Sequence, residues 1–152
     1  MSVKPWVEYF LDLAKTCSTR SNCLRANVGA VIVGDDKKIK ATGYNGTPSK
    51  VQSCIERGEC FRIKNNIPSG TKYETCRSIH AEQNAIIQAG QDRCQNATMY
   101  IFGHDFICIL CKRFIVQSGI KEVFLKKDDN SPILKVSVED LRRELEEQPQ
   151  LV

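Results

Sequence analysis

Two short motifs, His80-Ala81-Glu82 and Cys108-Ile109-Leu110-Cys111, each open a stretch of helical character, and a strand-like run, Ala97–Phe102, lies between them. That order constrains the fold more than any other feature. Helix, strand and helix in succession bring both helix starts to one sheet, where their side chains can face each other. The residue types give chemistry to such a meeting. One imidazole and two thiolates are three ligands of the kind zinc takes, and a tetrahedral ion keeps its fourth position for water. The partial positive charge of a helix N-terminus favours the thiolate form of each cysteine. Glu82, two residues past the histidine, is placed to carry a proton rather than to bind metal. Taken alone, a Cys-x-x-Cys among Ile109, Leu110, Phe114 and Ile115 reads equally well as core, and a His-x-Glu alone says almost nothing.

The rest of the chain predicts the frame for these motifs. Apolar residues at Trp6, Tyr9, Phe10, Leu13 and Ala14 follow a helical period, which gives a first helix over Pro5–Thr16 with Pro5 at its start. Two strand-like runs, Val28–Val33 and Ile39–Tyr44, are joined at Gly34-Asp35-Asp36 as an antiparallel hairpin. From Asn45 to Ile79 the chain is rich in Gly, Pro, Ser, Asn and Cys and has no sustained period, so something must organise it. A helix from His80 with Gly90 as its stop, the strand Ala97–Phe102, a helix from Cys108 to Gly119, and the strands "EVFLKK" and "ILKVS" follow. Ser137, three residues before Asp140, caps a terminal helix, "SVEDLRRELEEQ". The order αββαβαββα predicts a three-layer α/β/α fold on a central mixed five-stranded sheet, as one domain over residues 1–152.

No run approaches the roughly 20 apolar residues of a membrane span, and the opening "MSVKPWVEYFLDLAKT" carries Glu8 and Asp12 where a secretory signal is apolar. A cytoplasmic protein is expected. Eight cysteines in a reducing compartment point to metal binding or catalysis rather than disulfides. Cys23, Cys54, Cys60 and Cys76 bracket the irregular segment, where a closed four-thiolate zinc site would impose order. Cys17 and Cys94 read as small hydrophobes. The net charge of +4 is mild, and Lys37/Lys38 and Lys126/Lys127 are scattered among acids, as on a solvated surface. With one Trp, four Tyr and six Phe, several of them assigned to core elements, a stacking channel for nucleic acid is not expected.

The runs "RSNCLRANVGAVIV", "ATGYNGTPS", "HAEQNAIIQAG" and "CILCKRFIVQSGIKEV", in that order, resemble the deoxycytidylate (dCMP) deaminases of the zinc-dependent cytidine deaminase superfamily. The resemblance implies a hydrolase that converts dCMP to dUMP and ammonia. It implies catalytic zinc on His80, Cys108 and Cys111, with Glu82 as proton shuttle, Asn45 at the sugar, and Val28, Gly29 and Ala30 walling the base pocket. It also implies a homo-oligomer, dimer or hexamer, regulated by dCTP with Mg2+ and by dTTP near "GYNG". Phage-type members are similar in having a second, structural zinc, with cysteines matching Cys23 and Cys54.

Departures from the family pattern bear on the substrate. Ile107 stands where relatives carry proline before the first zinc cysteine, and "GHDF" brings His104 near the site. The tail "FLKKDDNSPILKV" replaces a tyrosine-bearing stretch that contacts nucleotide in the family. Arg20, Arg25 and Lys50 are the candidates for phosphate recognition. The alternatives are a deaminase acting on another nucleobase compound, dCTP or single-stranded nucleic acid, and a catalytically silent zinc-binding module. A silent module has no use for Glu82.

Overall fold

Every residue of "GAVIV" is buried, as a strand covered on both faces requires. In the computed structural model, which describes residues 2–147, this run forms strand β1 (Gly29–Val33). It pairs antiparallel with β2 (Ile39–Tyr44) on one side and β3 (Thr98–Phe102) on the other. β3 runs parallel to β4 (Glu122–Lys126), and β4 is antiparallel to β5 (Leu134–Ser137). The five-stranded sheet therefore has the order β2-β1-β3-β4-β5 and is mixed, as predicted.

Alternation along the strands builds a core on each face. Val31, Val33 and Tyr100 pack against Phe10, Leu11 and Ala14 of helix α1 (Trp6–Ser18). Ala30, Ile32, Met99 and Ile101 belong to the opposite core. That core is covered by α4 (Ala81–Cys94), α5 (Ile109–Ser118) and α6 (Val138–Glu147). Two glycines permit the closest approaches. A Cβ on Gly29 would lie 1.9 Å from the Ala14 carbonyl oxygen, and one on Gly43 would lie 2.3 Å from that of Ala81. The second matters for function, because it lets the first turn of α4 rest directly on β2.

Several local expectations are corrected. Gly90 does leave helical geometry (φ 74°, ψ 161°), but the chain resumes helix as far as Cys94. Phe114 is 46% exposed on the outer side of α5, while Cys111 and Ile115 hold that helix to the core. The amphipathic spacing of α1 is fulfilled by Phe10, Leu11 and Ala14, while Trp6 and Tyr9 are exposed. The Ser137–Asp140 cap of α6 forms in both directions, and Gln148, read as part of that helix, lies outside the described residues.

The irregular segment is a closed loop. Gly46 and Ile79 exchange backbone hydrogen bonds at 3.1 and 2.8 Å, which pins its two ends together. Inside it are two four-residue helices, α2 (Cys54–Arg57) and α3 (Phe61–Lys64), and a 3₁₀ turn at Tyr73–Thr75. A reciprocal Ser53–Glu56 capping box starts α2 and Gly58 at φ 72° ends it. Among the described residues no helix is long and apolar enough to cross a membrane.

Candidate active site

His80 and Cys108 occupy the N-cap positions of α4 and α5, both with extended backbone. An N-cap side chain turns back over the first turn of its helix to meet free backbone N–H groups. Cys108 does this, its Sγ accepting from the Cys111 N–H at 3.4 Å. His80 is held by its own N–H donating to Gln83 Oε1 at 2.9 Å. The two caps thus deliver their side chains to a shared space, and Cys111, one turn into α5, completes it.

His80 Nδ1 lies 3.3 Å from both the Cys108 and the Cys111 sulfur. All three ligand atoms lie within 4.8 Å of one another. These separations suit the edges of a tetrahedron built on Zn–S of about 2.3 Å and Zn–N of about 2.0–2.1 Å. The hydrogen bond from Cys111 draws the Cys108 thiol down to about 4 against its burial, with further help from His80. Cys111 is pushed up correspondingly, by that bond, by burial and by the nearby Glu82 carboxylate. Burial works against the His80 imidazolium, but the hydrogen bond and charge of Cys108 outweigh it and the net shift is upward. A thiolate is favoured here without any surface lysine or arginine to induce it, and thiolate is the form a soft divalent metal binds.

Of the trio, His80 opens onto a cavity that Glu82, Asn45, Val28, Arg25 and His104 also line. Glu82 is only 4% exposed. Both ends of the Asn45 amide are committed to backbone: Oδ1 accepts from the Val28 N–H at 2.9 Å and Nδ2 donates to the Ala26 carbonyl at 2.8 Å. Asn45 therefore shapes the turn that presents Val28 to the cavity. Gly29 and Ala30 lie outside the lining, as strand positions paired with Tyr44 and Gly43 on one side and Phe102 and Ile101 on the other. Burial lowers the pKa of His104, which favours its neutral ring. Ile107 is buried in the core beside Cys108, so an apolar anchor stands at the position where relatives have proline. Arg20 and Lys50 are exposed and lie outside the cavity lining.

The four other cysteines gather less tightly. Among the described residues only His80, Cys108 and Cys111 bring three metal-binding atoms within 4.8 Å. Cys54, Cys60 and Cys76 line one surface depression, while Cys23 and Cys76 reach the main cavity. Burial raises the Cys54 pKa, and Cys60, Cys23 and Cys76 add to the rise. Tyr73 and Arg62 are lining residues that had no signal in the sequence. Tyr73 stands edge-on to the His80 ring at 4.7 Å, and the Arg62 guanidinium lies 4.7 Å from the Tyr73 ring centre.

Comparison with known proteins agrees with this geometry. The sequence profile of the cytidine and deoxycytidylate deaminase zinc-binding region matches residues 4–127. The deoxycytidylate deaminase of Saccharomyces cerevisiae is 44% identical over 119 residues, covering 78% of this chain but 36% of that protein. The chain thus corresponds to about a third of the yeast protein's length. The deoxycytidylate deaminase of Mycobacterium phage D29 is 34% identical over 132 residues, 84% of this chain and 99% of the phage protein. Among solved structures, the dCMP deaminase of cyanophage S-TIM5 in complex with dCMP and dUMP is 28% identical, with a TM-score of 0.57 over 82% of this chain and 83% of that one. With a profile match that contains every residue of the His80–Glu82 and Cys108–Cys111 motifs, the chain belongs to the cytidine and deoxycytidylate deaminase zinc-binding family.

Proposed function

We propose that this protein is a zinc-dependent hydrolase that deaminates dCMP to dUMP and ammonia. The observation that carries the reading is the convergence of the His80, Cys108 and Cys111 ligand atoms, with His80 and a buried Glu82 lining one cavity. The likeness to the S-TIM5 enzyme bound to dCMP and dUMP supports the choice of substrate. His80, Cys108 and Cys111 would hold the zinc, which when bound supplies a Lewis acid that activates water at neutral pH. Glu82 would take one proton from the attacking water and pass it to N3 of the cytosine ring as the water oxygen bonds to C4, then take the second proton from the new C4 hydroxyl and deliver it to the amine, so that the C4–N bond breaks, ammonia leaves and the C4 carbonyl forms. Its burial keeps solvent from competing for those protons. Val28, presented through Asn45, walls the base, and His104, its ring kept neutral by burial, lines the same cavity. Purified zinc-loaded protein should release ammonia from dCMP with stoichiometric dUMP. Silence on dCMP, with turnover on another nucleobase compound or on none, would overturn the assignment.

A second, structural zinc on Cys23, Cys54, Cys60 and Cys76 belongs to the same reading. It is supported by the Cys54 thiol, buried and close enough to Cys60, Cys23 and Cys76 for each to add to the rise in its pKa, and by the need to hold an aperiodic loop in one conformation. Metal analysis of the purified protein should find two zinc ions per chain, falling to one when Cys54 and Cys60 are replaced by serine. One zinc per unaltered chain would remove the structural site. Eight unpaired cysteines fit a reducing cytoplasm. Exposed Ile87 and Phe114 on α4 and α5 are apolar surface of the kind a second copy covers in a dimer or hexamer. The groove lined by Thr47, Lys50 and Glu56, beside "GYNG", is where dCTP with Mg2+ or dTTP would act as effector.

A further inference from the structure

A metal-binding histidine is ordinarily fixed through its second ring nitrogen, which donates to a carboxylate or a carbonyl and so sets the orientation of the ring. His80 has no such tie. Its Nδ1 faces the two cysteine sulfurs, and among the described residues no protein group hydrogen-bonds to its other ring nitrogen. The backbone is secured, by Gln83 at the start of α4 and by the Gly46–Ile79 pairing one residue earlier. Those contacts leave the imidazole free to turn about its own bond to the chain.

Tyr73 stands where it can stop that rotation. Its ring meets the imidazole at 4.7 Å between centres with 74° between planes, near the close end of the range for edge-to-face pairs. A ring met this closely cannot turn without striking its neighbour. Tyr73 is held in turn. Lys72, just before it, takes a left-handed backbone (φ 49°), a costly conformation for a residue with a Cβ. The 3₁₀ turn that follows is closed by the Thr75 hydroxyl and N–H, which donate to the Lys72 carbonyl at 2.7 and 3.1 Å. The Arg62 guanidinium lies 4.7 Å from the Tyr73 ring centre. Arg62 is 5% exposed, and its Nη2 donates to the Pro68 and Thr71 carbonyls at 3.1 and 2.8 Å. Packing therefore runs from the loop carbonyls through Arg62 and Tyr73 to His80, and all three side chains line one cavity.

We propose that Tyr73, braced by Arg62, is a positioning residue for the metal centre: it holds the His80 imidazole so that Nδ1 stays turned toward the Cys108 and Cys111 sulfurs. The assignment rests on the metal-binding reading of those three residues above and is independent of the choice of substrate. Tyr73 acts through His80 and touches neither the metal nor the reacting atoms. The aromatic ring does this, and the phenolic hydroxyl has no part in it.

The test uses the full chain and its Y73F, Y73L and R62M variants. Zinc affinity is measured by competition with a chelator, counting the ion that C108S lacks. Y73L should bind that ion roughly 10–100-fold more weakly, the usual loss when a group that supports a metal ligand is changed. Y73F, which keeps the ring, should match the unaltered protein, and R62M should weaken zinc in the same direction by less. A second reading needs no turnover. The chain has two histidines, so ¹⁵N NMR of the zinc-loaded protein follows the His80 ring individually. Unaltered protein and Y73F should give one shared set of His80 signals, and Y73L a shifted or doubled set. If Y73L keeps both its zinc affinity and the His80 signals, while only its melting temperature falls or its KM for dCMP rises, Tyr73 is merely a wall of the cavity and the proposal fails. An equal loss in Y73F would place the role in the hydroxyl and overturn it as well. If Y73L does not fold, R62M decides by the same two readings. Unaltered protein that binds no zinc at His80 would overturn the metal reading and the proposal with it, a result distinct from retained zinc with unmoved His80 signals.

Discussion

Glu82→Gln should leave the zinc in place and reduce turnover by roughly 10²–10⁴-fold, the usual contribution of a positioned general acid–base group. Glutamine keeps the size and much of the hydrogen bonding of the carboxylate, so packing around this buried position is preserved. What it loses is the capacity to accept a proton from water and return it to the leaving amine. Because Glu82 is a neighbour of Cys111 rather than one of the clustered ligand atoms, metal content should stay at the level of the unaltered protein. Zinc analysis and ammonia release on the same sample separate the two roles. A variant with near-normal turnover would show that Glu82 does not carry the proton; one that lost its zinc would make it a ligand.

Cys108→Ser should remove the catalytic metal while sparing the fold. The position is the N-cap of α5 and its sulfur accepts from the Cys111 N–H. Serine is among the best N-cap residues, so the helix start survives. The thiolate, however, is gone. Neutral serine hydroxyl is a poor zinc ligand beside the favoured Cys108 thiolate. Zinc affinity should drop by more than about 100-fold, since even changing a group that merely supports a ligand costs 10–100-fold. Turnover should fall to background. Circular dichroism and melting of the metal-free proteins should coincide for variant and parent, while zinc raises the melting temperature of the parent more. Retained zinc at the active site, with retained activity, would contradict the ligand assignment.

The ease of locating these groups from sequence has a physical cause. His80 and Cys108 are helix N-caps, and capping is a local matter: residue type, an extended backbone and the first turn decide where the side chain points. The strands were equally legible, because burial on both faces of the sheet demands near-continuous apolar runs such as "GAVIV" and "TMYIF". Phe114 was misread because helical spacing marks which residues are apolar without saying which neighbour covers them. The family resemblance put Gly29 and Ala30 with Val28 at the base pocket, but both are strand positions paired on either side, and of the three only Val28 lines the cavity.

Sequence alone determined the main elements, their order, and the residues proposed as metal-binding trio and proton carrier, since each is set by patterns within one helix turn or a few strand residues. Tertiary structure decided what surrounds them. Arg62, Tyr73 and Ser78 come from a loop with no period, and they reach the cavity only because Gly46 and Ile79 close that loop over the start of α4. The placement of Arg62 depends on hydrogen bonds from its side chain to the Pro68 and Thr71 carbonyls across the loop, and such contacts leave no trace in residue spacing.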